Sequence, residues 1–301
     1  MGRRLPAAVQ VTAPAKINLV LDVGRRRTDG YHDVQTVLQE ISLADGIALE
    51  AADDLDVRCN DPRVGGGPSN LGWRAADSLR RAAGLHLGAR IRIDKHIPPQ
   101  AGLGGGSADA AGVLVGCNRL WGLQWPLDRL MPIARALGTD VPFFLAGGTA
   151  LGEGRGDHLR PLAPLPAWPV LVACPAAGSP TAAAYAALDA LGDWDHPSID
   201  NLLQHCSRGT TGSARARLRL AACLGNSFEG ALLPLRPDIA ALKRRLQGDG
   251  SVAALVCGSG AAVWALAPSG AWARRVAAQL RTEGVWAAVA HFATGGARVA
   301  T

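Results

Sequence analysis

The sequence predicts two domains that each mix α-helices and β-strands. Segments in which apolar and polar residues alternate, as in half-buried strands, are interspersed with segments of helical period along the 301 residues. The run Arg160–Pro169 contains four prolines and can continue neither a helix nor a central strand. The length suits two domains of ordinary size. We therefore expect an α+β protein with domains at residues 1–160 and 161–301.

Strand signals dominate the first hundred residues. Apolar and polar residues alternate along Ala15–Val23 and along Ala89–Ile97, which predicts two half-buried strands. Ile41–Leu43 and Ile47–Leu49 flank Asp45-Gly46, a dipeptide that favours tight turns. The sequence therefore predicts a β-hairpin at Asp45-Gly46.

The rest of the first half contains one further strand and three predicted helices. Asn70 is expected to cap a helix that ends near Gly84, because Asn side chains accept the first free N–H groups of a helix. The other predicted elements are a strand at Leu55–Cys59, a helix from about Ser107 to Leu120, and a helix at Leu127–Leu137 that Gly138 ends.

The second half repeats the mixture of strands and helices. The predicted strands are Val170–Cys174, Val252–Cys257, Ala261–Leu266 and Val285–Ala290, and Gly258–Gly260 separates the middle two. The predicted helices lie around Thr181–Leu191, from Pro237 to the stop at Gly248, and in a last segment that ends near Glu283.

Composition excludes several classes of protein. Hydrophobic residues make up 48% and charged residues 19%, which is typical of a globular chain. The net charge of +6 would suit nucleic acid, an anionic membrane or phosphorylated small molecules. The basic residues are scattered and no basic stripe alternates with aromatics, so we expect no nucleic-acid partner. Lysine is scarce: Lys16, Lys95 and Lys243 are the only lysines among 31 basic residues, which draws attention to each.

The cysteines and the apolar segments indicate a cytoplasmic protein. None of the six cysteines forms a Cys-x-x-Cys pair and several lie in apolar runs, so we expect reduced, buried thiols rather than disulfides or zinc ligands. The N-terminus lacks the apolar core of a signal peptide, and no apolar run is long enough to cross a bilayer. We expect no membrane partner.

The segment Pro98–Ser107, which we call the glycine loop, is the clearest functional motif. It contains four glycines, follows a predicted strand and precedes a predicted helix. Glycines let the backbone approach a ligand closely, and the N-terminus of the helix adds free N–H donors and partial positive charge. The sequence therefore predicts a phosphate-binding loop, with the Ser107 hydroxyl available to phosphate or metal.

Two familiar phosphate-binding motifs do not fit the glycine loop. A Walker A loop requires Gly-Lys-Ser/Thr, and Gly-Lys does not occur in the chain. A dinucleotide fingerprint that began at Gly102 would need glycine at position 107, where the chain has serine. A flexible linker is a poor alternative, because an alternating strand and an Ala-rich helix flank the loop.

Five segments together resemble a known family. Pro14–Leu19, Pro98–Ala108 and Gly258–Ala261, in this order, resemble the GHMP superfamily of small-molecule kinases. Arg27–His32 and Gly138–Phe143 narrow the resemblance to the 4-diphosphocytidyl-2-C-methyl-D-erythritol kinases of that superfamily. The matching segments span nearly the whole chain.

The resemblance implies a fold, a reaction and a set of partners. The implied fold has an N-terminal domain like ribosomal protein S5 and a C-terminal ferredoxin-like α/β sandwich. The implied activity is the ATP-dependent phosphorylation of the substrate's 2-hydroxyl in the non-mevalonate isoprenoid pathway. ATP and Mg²⁺ are the implied cofactors, but no pattern of residues identifies metal ligands. A monomer or a weak homodimer is expected.

The resemblance also implies that Lys16 and Asp140 form the catalytic pair. A carboxylate at hydrogen-bond distance can take the proton of the attacking hydroxyl. A nearby ammonium can keep that carboxylate ionised and offset charge on the transferred group. From its position alone, after a predicted helix stop, Asp140 would more simply be a turn or capping residue.

Further residues are implied to bind the two substrates. Tyr31 and a second aromatic, for which Tyr185 is the candidate, would stack on the cytosine, and His32 and Asn18 would supply hydrogen bonds. Tyr185 could equally be a core residue, and Gly258–Gly260 an ordinary hairpin turn. The residues implied to bind ATP are Pro98, Pro99, Gln100, Ala101, Gly102, Leu103, Gly104, Gly105, Gly106, Ser107 and Ala108.

Two alternatives stay open at this point. Another GHMP kinase, acting on mevalonate, homoserine or a sugar, would share the glycine loop, but it would have no use for the cytosine-binding residues of Asp29–His32. A non-catalytic nucleotide-binding or nucleic-acid-binding protein would have no use for a general base such as Asp140.

Overall fold

The computed structural model of the chain describes residues 6–175, 178–207 and 210–300. Its strands are β1 (Ala8–Arg26), β2 (His32–Ala52), β3 (Leu55–Cys59), β4 (Gly88–Asp94), β5 (Thr149–Glu153), β6 (His158–Pro161), β7 (Pro169–Cys174), β8 (Gly225–Asn226), β9 (Ala253–Val256), β10 (Val263–Leu266), β11 (Trp286–His291) and β12 (Arg298–Val299). Its helices are α1 (Leu71–Ala82), α2 (Gly105–Leu120), α3 (Leu127–Leu137), α4 (Val141–Ala146), α5 (Thr181–Leu191), α6 (Ile199–Ser207), α7 (Ala214–Ala221), α8 (Phe228–Leu235), α9 (Pro237–Gly248) and α10 (Gly270–Thr282).

The first sheet is built around the long antiparallel pair β1 and β2. Its order is β12-β1-β2-β4-β3, with β5 and β6 added beyond β2 and the short β8 beside β1. Helix α2 packs on β1 and β2 and buries one face of the sheet, while α1 packs against α2. As predicted, Asn70 caps α1, and its side chain accepts the N–H of Gly72.

The predicted hairpin at Asp45-Gly46 is wrong. Both residues lie inside β2, where they pair with Ala13 and Thr12 of β1. Gly46 does not adopt the left-handed backbone that a two-residue hairpin turn requires. The Asp45 carboxylate instead accepts the backbone N–H groups of His96 and Ile97, and the register of the pair shifts between Pro14 and Ala15. A bulged strand with a buried carboxylate therefore replaces the turn.

The second sheet confirms the ferredoxin-like expectation. Its antiparallel order is β11-β7-β10-β9, that is, the fourth, first, third and second of its strands in chain order. Helices α9 and α10 pack against it. This is the order of a β-α-β-β-α-β unit, and all four strands were predicted to within a few residues. The fold is therefore the expected α+β arrangement.

Several short elements escaped prediction. They are β5, β6, β8 and β12 in the first sheet, the short helix α4, and α6, α7 and α8 between the second sheet's first strand and α9. The short strands have too few residues for their periodicity to stand out. The predicted division into residues 1–160 and 161–301 stays a prediction. The first sheet includes residues from both halves, since β8 and β12 come from the second half and pair with β1.

Over the described part of the chain, no helix has both the length and the apolar character needed to cross a lipid bilayer.

Candidate active site

A cavity of about 820 Å³ contains nearly every residue that the sequence singled out. The glycine loop forms one wall, and the starts of β2 and α5 form another. The predicted residues that line it are Lys16, Asn18, Tyr31, His32, Asp140, Tyr185, Gly258, Ser259 and all of Pro98–Ser107. Residues that lie up to 243 positions apart in the chain, such as Lys16 and Ser259, are thus brought to one site.

The backbone of the glycine loop has a shape that only glycine allows at two positions. Gly102 has φ +79°, and a β-carbon there would stand 1.8 Å from the carbonyl oxygen of Cys257. Gly104, the residue that caps α2, has φ +73°, and a β-carbon would stand 2.5 Å from the Phe144 ring. The loop therefore runs in close contact with both halves of the chain, with the N-terminus of α2 facing the cavity.

Backbone hydrogen bonds tie the glycine loop to its neighbours. Lys16 donates its N–H to Leu103, and Ala262 donates its N–H to Ala101. The turn at Gly258–Gly260 joins β9 to β10 and also lines the cavity. It is thus a hairpin turn that lies beside the glycine loop. The resemblance also implies that Gly258–Gly260 lie near the nucleotide phosphates, and that position stays a prediction.

Ala108 is the exception among the residues predicted for ATP. It lies one turn into α2, its side chain is fully buried, and its N–H is donated to Gly104. It therefore lies behind the glycine loop rather than at the cavity, and a direct contact with ATP stays a prediction.

Lys16 is held by a relay of buried hydrogen bonds. Its ammonium donates to Asn18 Oδ1 at 2.9 Å, Asn18 Nδ2 donates to Thr36 Oγ1 at 2.8 Å, and Thr36 donates to the carbonyl of Val20. All three side chains are nearly inaccessible to solvent. Because β1 and β2 carry the relay on paired strands, the ammonium has a fixed position at the cavity wall. Its contact is with Asn18 rather than with Asp140.

The carboxylate of Asp140 has no hydrogen-bond partner among the described residues. Asp140 precedes α4 in the capping position, yet its side chain makes no capping hydrogen bond. Asp140 therefore does not take the capping role that its sequence position suggests. It lines the cavity instead. The negative charge of Asp140, after burial itself, contributes to raising the pKa of Tyr185 to about 12. Asp140 and Tyr185 thus lie near one another across the cavity.

An aromatic patch also lines the cavity. The ring of Tyr185 lies 4.9 Å from that of His32, tilted by 31°, and 4.9 Å edge-on from that of Phe228. Tyr185 is only partly buried, so it belongs to the core and also presents surface to the cavity. Tyr31 is half-exposed at the rim, and the guanidinium of Arg155 lies 3.9 Å above its ring centre.

Sequence reasoning missed four polar residues of this site. Asp189 accepts a hydrogen bond from His32 Nε2 at 2.8 Å and so orients the imidazole. Arg155 reaches Tyr31 from the unpredicted β5–β6 hairpin, and Thr36 completes the relay to Lys16. Thr181, at the start of α5, accepts a hydrogen bond from Ser259. Their positions depend on strand pairing and on contacts between distant segments, so no local motif could have identified them.

Among the residues that the structure describes, no three His, Cys, Asp or Glu side chains converge as a metal site would require. Ser107 and Asp140 contribute a hydroxyl and a carboxylate to the lining of the cavity.

The comparisons with known proteins agree on the family. The profile of the GHMP kinases N terminal domain matches residues 70–148. The chain is 39% identical to 4-diphosphocytidyl-2-C-methyl-D-erythritol kinase of Geobacter metallireducens, over 94% of this chain and 98% of that protein. It is 42% identical to the kinase of the same name from Moorella thermoacetica, over 90% of this chain and 95% of that protein.

Solved structures give the same result. A crystal structure of 4-(cytidine 5'-diphospho)-2C-methyl-D-erythritol kinase superposes with a TM-score of 0.79 at 36% identity, covering 95% of this chain and 100% of that one. A homoserine kinase from Cytophaga hutchinsonii has a TM-score of 0.70 at 18% identity, over 100% and 99% of the chains, and shows a shared fold alone. The chain therefore belongs to the 4-diphosphocytidyl-2-C-methyl-D-erythritol kinase family of the GHMP kinase superfamily.

Proposed function

We propose that the chain transfers the γ-phosphate of ATP to the 2-hydroxyl of 4-diphosphocytidyl-2-C-methyl-D-erythritol, with ADP and the 2-phosphate as products, in the non-mevalonate isoprenoid pathway. The observation that carries this proposal is one cavity that combines a glycine loop, a carboxylate without a hydrogen bond to any described residue, a fixed ammonium and an aromatic patch. The substrate named for the relatives at about 40% identity supports the choice of alcohol.

In this proposal, Asp140 is the general base. The alcohol must lose its proton as its oxygen attacks the γ-phosphorus, and a carboxylate within hydrogen-bond distance can accept that proton. The Asp140 carboxylate suits the role because it lines the cavity and makes no capping hydrogen bond. General bases of this kind contribute about 10²- to 10⁴-fold to the rate of a reaction.

Lys16 supplies electrostatic stabilisation in this proposal. The transferred phosphoryl group spreads negative charge over its oxygens as it moves between the two substrates. An ammonium that Asn18 and Thr36 already hold in place can offset that charge without reorganising during the reaction. The glycine loop, with the N-terminus of α2, holds the remaining phosphates by its N–H groups.

The aromatic patch would bind the cytosine. Stacking of a base on an aromatic ring is worth about 1–3 kcal/mol per base. Tyr31 at the rim and Tyr185 deeper in the wall provide the two rings, and Arg155 already covers one face of Tyr31. Asp189 fixes the ring of His32. The remaining hydrogen-bonding groups of His32 would then bind the edge of the base.

Mg²⁺ fits this cavity as a companion of ATP. Magnesium commonly binds proteins through one or two side chains while phosphates and water complete its shell. The Ser107 hydroxyl and the Asp140 carboxylate both line the cavity and would be oxygen ligands of the kind that Mg²⁺ takes, and no cluster of three or more His, Cys, Asp or Glu side chains is found among the described residues. When bound, the ion would neutralise charge on the phosphates of ATP.

An assay of substrate preference tests the proposed function. The protein is incubated with ATP and Mg²⁺ together with the cytidylyl alcohol, mevalonate or homoserine, and ADP release is followed. We expect turnover of the cytidylyl alcohol alone, and mass spectrometry of the product should place the new phosphate on the 2-hydroxyl. Turnover confined to mevalonate or homoserine would contradict the substrate but keep the kinase reaction. ATP hydrolysis with none of the three alcohols phosphorylated would contradict both.

A further inference from the structure

Lys95, one of the three lysines of the chain, has no place in the proposed chemistry. It follows the end of β4, three residues before the glycine loop begins, and its side chain is only 4% exposed. Its ammonium donates to Asp45 Oδ2 at 2.5 Å and to Asp109 Oδ2 at 2.8 Å. The two carboxylates are equally buried, at 0% and 4% exposed. A buried lysine between two carboxylates is costly to assemble, and its location calls for an explanation.

The three residues of this triad come from three elements that meet at the base of the glycine loop. Asp45 lies in β2, and its second oxygen accepts the N–H groups of His96 and Ile97, which directly precede the loop. Asp109 lies in the second turn of α2, directly after the loop. Lys95 therefore connects the segment that enters the loop with the helix that leaves it.

Lys95 also contacts the loop's own exit. A β-carbon on Gly105, the first residue of α2, would stand 3.0 Å from Lys95 Nζ. The backbone N–H of Lys95 is itself donated to Asn60 Oδ1 at 2.7 Å. The backbone of Lys95 is thus fixed as well, and its ammonium lies against the first turn of the helix that follows the loop.

One oxygen of the triad lacks a hydrogen bond. Asp109 Oδ1 is buried and has no partner among the described residues, whereas both oxygens of Asp45 are engaged. Burial raises the pKa of Asp109 to about 8 in spite of the neighbouring ammonium. A protonated Asp109 would still accept the Lys95 hydrogen bond on Oδ2, so the link to α2 does not require two full charges.

We propose that Lys95 is a positioning residue that, by bridging Asp45 and Asp109, fixes the two ends of the glycine loop so that its N–H groups converge on the phosphates of ATP. This deepens the proposed function, on which it rests for the identity of the ligand. The effect is on the binding of nucleotide rather than on proton transfer, because the triad lies behind the loop and does not line the cavity.

Substitutions at Asp109 test the bridge with the least disturbance. Asp109→Ala removes the link to α2 and leaves Lys95 and Asp45 as a neutral pair. Hydrogen bonds to charged groups contribute more than neutral ones, so we expect the KM for ATP to rise about tenfold to a hundredfold. The kcat and the KM for the alcohol should change little. Asp109→Asn is the matched control, because its amide oxygen can still accept from Lys95, and its KM for ATP should stay near that of the wild type.

Amide hydrogen exchange tests the same inference without nucleotide. In Asp109→Ala the amides of residues 102–107 should exchange about tenfold faster than in the wild type and in Asp109→Asn, because local opening of the loop becomes easier. Unchanged exchange and an unchanged KM for ATP in Asp109→Ala would overturn the inference. So would a lower kcat, raised KM values for both substrates and a lower thermal stability together, which is the result of a merely structural role. If the wild type fails to phosphorylate any alcohol, the proposed function fails, and the exchange measurement still decides on the bridge.

Discussion

Tyr31 lines the cavity with its side chain half-exposed, and the guanidinium of Arg155 lies over its ring. Tyr185 instead packs on His32 and Phe228. Both tyrosines line the cavity, and in the proposed function the cytosine of the substrate stacks on them. Tyr31 can therefore be changed with little effect on the core.

The change Tyr31→Ala should weaken substrate binding selectively. Loss of one stacking partner costs about 1–3 kcal/mol, so the KM for the cytidylyl alcohol should rise by roughly fivefold to a hundredfold. The KM for ATP should stay the same, because Tyr31 is not part of the glycine loop that is proposed to hold the phosphates. Steady-state kinetics with each substrate varied in turn measures both values. Tyr31→Phe keeps the ring and should behave like the wild type, and an equal loss in both variants would exclude stacking as the role.

Sequence motifs identified some residues of the site and missed others for a physical reason. Lys16, Tyr31 and Asp140 lie in contiguous segments whose composition is informative by itself, and the cavity contains all three. Thr36 and Asp189 have no such surroundings. Thr36 contacts Asn18 because β2 pairs with β1, and Asp189 contacts His32 because α5 packs beside β2. Such contacts follow from tertiary structure, which local sequence patterns do not specify.

At the scale of elements, the glycine loop depends on backbone conformations that residues with a β-carbon rarely adopt. Gly104 needs a left-handed backbone and lies against Phe144, whereas Gly106 lies in the first turn of α2, where a β-carbon would meet no atom within 4 Å. Gly104 is therefore required for the shape of the loop, whereas Gly106 has open space beside it.

Alanine at these two positions should have opposite effects on stability. Gly104→Ala adds a left-handed strain of about 1–2 kcal/mol and a clash with Phe144, so its Tm should fall by several degrees. Gly106→Ala should keep or raise the Tm, since alanine favours helices over glycine by about 1 kcal/mol. Its methyl group would project into the cavity, so the KM for ATP should nevertheless rise. A Gly106→Ala variant with unchanged KM for ATP would place the phosphates elsewhere.

Long elements were predicted well and short or bent ones poorly. The helices α1 and α3 have the predicted caps and ends, because an Asn cap and a glycine stop are local signals. Asp45-Gly46 carries an equally local signal that tertiary contacts override. Asp45 is required as a buried acceptor for His96, Ile97 and Lys95, and β2 remains extended past it.

At the scale of the whole molecule, the buried triad should make stability depend on pH. The pKa of Asp109 is raised to about 8 by burial, so the folded state binds its proton more tightly than the unfolded chain does. This contribution to stability is complete below the unfolded pKa, near 4, and is lost as the pH rises through about 8. The groups that face Asp109 are Lys95 and Asp45.

Comparison of the wild type with Asp109→Asn isolates that contribution. The free energy of unfolding of the wild type, relative to Asp109→Asn, should fall steadily between pH 4 and pH 8, because Asn cannot bind the proton. Urea titrations at a series of pH values measure the difference. A constant difference over this range would mean that Asp109 is ionised in the folded protein.

Both halves of the chain contribute to the first sheet and to the cavity. β8 and β12, from the second half of the chain, pair with β1, and the turn after β9 contacts the glycine loop. Both halves therefore contribute to the candidate site. The expectation of a monomer or a weak homodimer stays a prediction, which sedimentation of the 31.1 kDa chain would measure.

Asp140→Asn tests whether Asp140 is the general base, because the two side chains have the same shape and only the carboxylate can accept the proton of the alcohol. The measurement pairs the single-turnover rate of phosphoryl transfer with the equilibrium affinity for ATP. We expect the rate to fall by about 10²- to 10⁴-fold while the affinity for ATP stays that of the wild type. A transfer rate close to that of the wild type would contradict the account, since the cavity would then contain a different base.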